Sequence, residues 1–536
     1  MSLFDSASLV VTPNGYKEDK LYSIKPTDRS GDLVVTRATT ATRVNSAGLI
    51  EPSPYNLLTY SQDFTNGWYS YLGSISATAN YGVAPNGTTT STRVLFTSTN
   101  QIWAKNITGL TGKNGVFSLW IKGTTGKKIA ITYGGIDNLV TLQSGWNRFN
   151  VQGLATIDFV FITTFGADTL DIEVWGGQVE LGTSAKEYFP TTDRLNVPRL
   201  DYTNSSCPSI LVEPQRTNKV LYSEQFDNAA WDKVNVTVTA NNITSPDGTI
   251  NADKIEYTNV NNYFITYSTN NQNISYTISA YAKKGSTDLF SLREVFYFGS
   301  TARFDLTNGS IVSDTTGTAK IQNVGNGWYR CSITQAYTSG QTNMQWSFDN
   351  RTSTGNLYLW GAQVEAGSYA TSYIPTVASS VTRNADVISK TGISSLIGQT
   401  EGVLFVDFIY TNSTDEVIIS INDWDANLKV INIAKSTSNK ISAQVYSSGN
   451  QFLSESGVIG VIGQRYKCAL AYKQNDFAFY INGNQIGTSS SGSVPASVKF
   501  DLGRFISSQS AYINFNSAVL FKTRLSNTEL ATLTTI

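Results

Sequence analysis

The chain is 536 residues long, 40% hydrophobic and 12% aromatic, with 39 Lys+Arg against 40 Asp+Glu and a net charge of -1. That length calls for three or four modules of ordinary size rather than one, and the charge balance leaves no electrostatic case for nucleic acid or an anionic membrane. The complete lack of histidine removes the commonest general base and metal ligand, and with it any Ser-His-Asp or Cys-His chemistry.

Charged residues make up 15% of the chain, against about 25% in average soluble domains, so Ser, Thr, Asn, Gln and Gly must cover the surface. Neutral ligands or protein partners suit such a surface. Cys207, Cys331 and Cys468 are scattered, with no CxxC pair, which argues against a disulfide framework or a zinc site. Met1 to Gly15 has an acidic residue and no basic start, unlike a signal peptide. No apolar run approaches the ~18 residues of a membrane helix. Synthesis in a cytoplasm and no membrane insertion are expected.

In chain order, residues 1–54 form an opening attachment segment, too small for a core of its own, with short strands at Leu21 to Ile24 and Leu33 to Thr36. Arg43 to Pro52 is an Arg…Glu-Pro lead-in that recurs at Arg199 to Pro214. Each lead-in precedes a copy of one repeated domain. Trp175-Gly176-Gly177-Gln178-Val179-Glu180 returns as Trp360-Gly361-Ala362-Gln363-Val364-Glu365, and both Trp175/Trp360 and Tyr188/Tyr373 are 185 residues apart. Earlier landmarks keep smaller offsets: Tyr60/Tyr222, Trp68/Trp231 and Trp120/Tyr281 are 162, 163 and 161 apart, whereas Trp146/Trp328 are 182 apart. The second copy therefore carries an extra excursion of about 21 residues. It includes Asn308-Gly309, a hairpin signal in which both turn positions favour positive φ, so one added hairpin is expected. Short β-branched and aromatic runs, without helical periodicity, fill both copies. They predict two-sheet jelly rolls over 55–200 and 218–390, joined by a lead-in linker at 201–217.

From residue 391 on, a third sandwich is predicted, with strands such as Val403 to Phe408, Phe477 to Ile481 and Tyr512 to Phe521, and a turn at Asn482-Gly483. Ser526-Asn527-Thr528-Glu529 predicts a capping box opening a short final helix. The fold class expected is all-β: two tandem jelly rolls and a concanavalin A-like β-sandwich behind a short N-terminal attachment segment.

The run Val197 to Asn218 leading into Leu221 to Trp231, with Asn326-Gly327-Trp328-Tyr329-Arg330-Cys331 and Trp360 to Glu365, resembles the carbohydrate-binding-module-like jelly rolls of bacteriophage tail, fibre and other virion-surface proteins. Tyr480-Ile481-Asn482-Gly483 and Phe521 to Ser526 resemble a concanavalin A-like, laminin-G-like lectin sandwich. The resemblance spans roughly residues 40–536; copy one lacks the extra excursion and the Arg-Cys after its Gly-Trp. It implies a virion location, other virion proteins and bacterial surface glycans as partners, and a homo-oligomer, although no heptads are present.

Several residues are candidates for binding. Trp424 lies in Asn422-Asp423-Trp424-Asp425-Ala426-Asn427, a turn between apolar strands, where an aromatic flanked by carboxylates and amides suits a saccharide; folding down to cap a sheet edge is the alternative. Asp423, Asp425 and Asn427 also alternate like oxygen ligands of calcium, but without the loop's Gly and distal Glu. Tyr297, in Phe296-Tyr297-Phe298, faces opposite its neighbours by strand alternation. The paired tryptophans, and Trp103 and Trp346, set against Phe264 and Phe161 of the other copy, read as core. Glu180 and Glu365 are candidates for a structural calcium, though hydrogen bonds to the adjoining lead-in, with Arg216 as a partner, explain them better. No other cofactor is implied. A glycosidase needs two carboxylates, and Asp171-Ile172-Glu173 is the nearest run, with Tyr358 at the matching place in copy two. No enzyme is expected. A purely structural virion role and, last, a depolymerase are the rival readings.

Overall fold

The computed structural model describes residues 3–164, 169–203, 205–258, 263–269, 273–295, 299–338, 341, 343–349, 354–411, 416–423, 428–436, 438–504 and 511–536. They divide into two compact units, Leu49–Arg194 with Asn218–Val381, and Met1–Gly48 with Leu195–Thr217 and Thr382–Ile536. The chain is all-β, and its one α-helix among the described residues is Asn527–Thr534.

The first unit holds the two repeated sandwiches. In copy one, one sheet runs in the order Asn147–Leu154, Asn114–Gly123, Leu170–Leu181, Thr92–Phe96, Ile75–Thr78. The facing sheet runs Ile136–Thr141, Lys128–Tyr133, Phe159–Thr164, Ile102–Asn106, Tyr69–Leu72. Copy two repeats both orders strand for strand: Trp328–Ala336, Ser275–Lys284, Gly355–Ala366, Ile250–Tyr257, Val236–Thr244, and Thr301–Asp305, Leu289–Glu294, Asn343–Asp349, Tyr263–Thr269, Asp232–Val234. Alternating inward residues make each core, Phe117, Ile131 and Ile162 in copy one, and Ile278, Leu292 and Phe348 in copy two.

The extra excursion is not a free-standing hairpin. Ser310–Asp314 extends one sheet beside Thr301–Asp305, and Lys320–Gly325 extends the other beside Trp328–Ala336. At the turn, Gly309 has φ 65°, whereas Asn308 is not among the positive-φ residues. The Asp305 carboxylate organises the turn instead, accepting from the amides of Thr307 at 2.7 Å and Asn308 at 3.2 Å.

The second unit corrects the expected boundaries. Leu9–Lys17 lies between Lys20–Lys25 and Ile513–Phe521, and Leu33–Thr36 pairs with Val387–Thr391. Ser209–Val212 also pairs with Ile513–Phe521. The opening strands at Leu9–Lys17, Lys20–Lys25 and Leu33–Thr36 and the Ser209–Val212 strand of the 201–217 stretch thus belong to the C-terminal sandwich, not to a separate segment and a linker. The reason is burial: Leu9, Val11, Leu21, Leu33, Ile210 and Val212 share one core with Phe408, Phe479 and Phe500. The tandem sandwiches are insertions into this three-segment unit. Asn482 and Gly483 both have positive φ, 47° and 83°, closing the expected two-residue hairpin. The capping box is present, with Glu529 accepting from the Ser526 amide at 2.7 Å.

Candidate functional site

The repeated signature builds a lock. Asn56 donates through Nδ2 to the carbonyls of Gly177 and Phe189 and accepts through Oδ1 from the amides of Leu58 and Val179. Asn218 does the same with Ala362, Ile374, Val220 and Val364. Gln178 Nε2 donates to Glu180 at 2.8 Å and Gln363 Nε2 to Glu365 at 2.6 Å. Glu180 in turn accepts from the Lys186 amide, and Glu365 from the Thr371 amide and hydroxyl. Both carboxylates are fully buried, and burial raises the Glu180 carboxyl above the usual range. These residues close the loop after the strand. Among the described residues no three His, Cys, Asp or Glu side chains converge as a metal site would require.

Aromatic residues complete the lock. Trp175 and Tyr188 pack on Trp120 at 5.3 Å each, and Trp360 and Tyr373 pack on Tyr281 at 5.2 and 6.1 Å. Gly176 and Gly361 have φ 64° and 62°, and a Cβ there would meet Trp120 at 2.8 Å and Tyr281 at 2.9 Å. The Trp-Gly pair is therefore set by backbone conformation and close approach. Of the six repeat-paired tryptophans only Trp146 is half-buried, with its indole N–H on the Val83 carbonyl at 3.0 Å.

Of the residues singled out from the sequence, Trp424, Asp425, Asn427 and Tyr297 lie outside the described residues. The Asp423 amide donates to the Lys429 carbonyl at 3.0 Å. The Asp171 carboxylate is taken by Arg93 at 2.6 Å, while Glu173 accepts from Ser91 and pairs with Lys122 at 2.9 Å. A polar hollow of about 430 Å³ on the C-terminal sandwich is lined by Asn475, Asp476, Ser489 and Arg524 among others. Its one cation, Arg524, is already bonded to Asp476 and Asn527.

The face best equipped to hold a ligand is one the sequence reading passed over. Along Phe159–Thr164, Val160, Ile162 and Thr164 are buried, so Phe159 and Phe161 point away from the core. Tyr71 stacks on Phe161 at 6.0 Å and lies 6.2 Å from Phe159, and Tyr69 is 6.4 Å from Tyr71. Tyr71 is 58% exposed and Tyr69 41%. The register sets Phe161 between Ala104 and Thr132, with Tyr69 beyond Ala104 and Asp137 beyond Thr132. Thr132 donates to Asp137 at 2.5 Å. Phe159 and Phe161 are half-buried beneath the exposed tyrosines, and clustered outward-facing rings mark a contact surface, unlike scattered single ones. Flat apolar rings beside hydroxyls and a carboxylate suit a ligand with an apolar face and a polar rim.

Matching Phe161 to Trp346 is one residue out of register. Trp103 pairs with Ile162, and Phe264 with Phe348, so Phe161 corresponds to Ser347 and Phe159 to Gln345. Trp346 is a core residue and Phe161 is not. A slip of one moves a side chain to the opposite face. The sequence signal for this site is the doubled alternation Tyr69-x-Tyr71 and Phe159-x-Phe161, the second on a strand whose Val160 and Ile162 already fill the core.

No family model matches the chain, and no curated protein matches it. Solved structures do. A sialidase carbohydrate-binding module from Ruminococcus gnavus, bound to α2,3-sialyllactose, is 13% identical over 27% of this chain and 91% of its own, at TM-score 0.24. The tandem CBM22 domains of a Paenibacillus barcinonensis protein, Xyn10C, are 12% identical over 62% of this chain and 100% of their own, at TM-score 0.20. Domains LG4-5 of the mouse laminin α1 chain are 11% identical over 48% of this chain and 86% of their own, at TM-score 0.19.

Proposed function

We propose that this protein is a non-catalytic, multi-module glycan-binding component of a bacteriophage virion, displayed on the particle as a head or tail fibre or appendage. The observation that carries the binding half is the ring cluster on copy one, in which exposed Tyr69 and Tyr71 pack with half-buried Phe159 and Phe161. Stacking on such rings gives weak, reversible contact with the apolar face of a sugar. The virion half rests on the resemblance of the 197–365 motifs, with other virion proteins as partners and bacterial surface glycans as targets. Residues 423–427, with Trp424, are proposed as a second contact.

The test is a glycan array probed with the full chain, repeated with Tyr71→Ala, Phe161→Ala and Trp424→Ala. Binding lost in the Tyr71 and Phe161 variants, with melting temperature retained, supports the reading. No binding at millimolar glycan, or binding that survives both changes, overturns the aromatic site. Labelling the chain in intact particles tests the location separately.

A further inference from the structure

The two repeated sandwiches are held together by contacts, not by a direct linker. The chain leaves the first copy at Arg194, runs through Leu195–Thr217 of the other unit, and returns at Asn218. Lys113 of copy one nevertheless reaches two carboxylates of copy two, Glu224 at 2.9 Å and Asp247 at 3.5 Å. The Asn251 side chain donates through Nδ2 to the same two groups, at 3.0 and 3.2 Å. On the Asp247 turn, the Pro246 carbonyl accepts from the Ile50 amide at 2.9 Å, and a Cβ on Gly248 would meet Leu49 at 2.8 Å. Leu49 and Ile50 open the segment that holds copy one.

These groups are not part of the frame the copies share. Where copy two has Glu224 and Asp247, copy one has the neutral Gln62 and Asn86. Where copy one has Lys113, copy two has Ile274. The cation belongs to one copy and both acids to the other, as a complementary joint requires and a duplicated fold does not. In copy one the Trp175 indole N–H donates to the Thr90 hydroxyl at 3.0 Å. Asn251 takes the place of Thr90 in copy two. Its Oδ1 and the Trp360 Nε1 are both buried without a hydrogen-bond partner among the described residues. Orphaned buried polar atoms are destabilising, so Asn251 acts for the joint more than for its own sandwich. The Lys113 and Glu224 side chains are each 19% exposed and Asp247 8%. Burial works against the Lys113 ammonium, but Glu224 and Asp247 outweigh it and hold its pKa above the ordinary lysine value. A single exposed pair would hold little, whereas a largely buried cation shared by two acids and a bridging amide is a network.

We propose that Lys113, Glu224, Asp247 and Asn251 form a latch that locks the two repeated sandwiches into one body, so that they move together and not as separately tethered modules. The inference is independent of what either sandwich binds, and either can fail alone.

The experiment is a spin-label distance measurement on the full chain. Nitroxides are attached at Thr124→Cys in copy one and Ser313→Cys in copy two, both exposed positions. Exposed Cys207 is changed to Ser, while Cys331 and Cys468 are buried. With the latch intact the distance distribution should be single and narrow. Lys113→Ala should broaden it, with the β-sheet circular dichroism unchanged. So should the paired change Glu224→Gln with Asp247→Asn, which installs the amides that copy one carries. Lys113→Arg should keep it narrow, since the charge is retained. Combining Lys113→Ala with the paired change should broaden it no further, because both remove the same interaction. A broad distribution with the latch intact, a narrow one in both variants, additive broadening, or broadening that comes only with loss of the β-sheet signal would overturn the latch.

Discussion

Asn56 and Asn218 show how much one side chain does when all its hydrogen-bonding capacity is used. Each ties the start of its sandwich to the closing strand and the loop beyond it. Replacing either with Ala leaves buried amides and carbonyls unpaired and should cost at least about 3 kcal/mol, measured by chemical denaturation. The second unit depends on a comparable cluster, in which Arg199 and Arg383 share Glu213 at 2.7 and 2.5 Å and Asp386 binds Arg199 and Arg37. Burial works against ionised Asp386, but the three arginines hold its carboxyl below the usual range. Because its folded pKa is depressed, its stabilisation is present above the unfolded value and lost as pH falls through the folded one. Asp386→Ala, which strands buried Arg37 and leaves Arg199 with Glu213 alone, should cost roughly 3–5 kcal/mol. Asp253 has the opposite sign. Burial raises it from 3.8 to about 6, although it accepts from the amides of Phe226 and Asn241. The folded state keeps its proton longer, so stability contributed at this site should decline as pH rises from about 4 to 6. Thr92 holds the equivalent place in copy one, accepting from the Phe64 amide at 3.1 Å. Asp253→Thr should flatten that decline in denaturation curves taken across the range.

The Leu9–Lys17 strand is the most consequential single element. Leu9 and Val11 are fully buried, and the strand completes the sheet beside Ile513–Phe521. Deleting residues 1–36 should expose that core, abolish the C-terminal sandwich's cooperative transition and raise amide exchange across 513–521. Unchanged exchange there would refute the assignment. The milder Leu9→Ala should cost about 3 kcal/mol. Its sequence hides the strand, because Leu9 to Val11 is its one apolar run and Pro13, Asn14 and Gly15 are all disfavoured in strands. By contrast, the Asn482-Gly483 hairpin and the Ser526 capping box were legible because each depends on chemistry a few residues long.

Across the whole molecule, the proposed contacts are individually weak, so useful adhesion would come from number. Clustering the full chain on a bead or particle should raise apparent glycan affinity about 100-fold over the free chain, a comparison surface binding can make directly. A fragment of residues 391–536 would lack the strands that residues 9–36 and 209–212 add to the three-segment unit. The full chain is the object to test.

The duplication, the all-β class, the missing histidine chemistry and the extra length in copy two were determined by sequence alone, since each is a matter of composition, period or spacing. Tertiary structure decided that the opening residues and lead-in belong to the last sandwich, because distant strands pair through backbone groups that carry no sequence label. It also decided that Phe159 and Phe161 face outward while Trp346 faces in. A two-residue period names the two faces of a strand but not which one meets the core, and when both faces are apolar only the partner strands settle the choice.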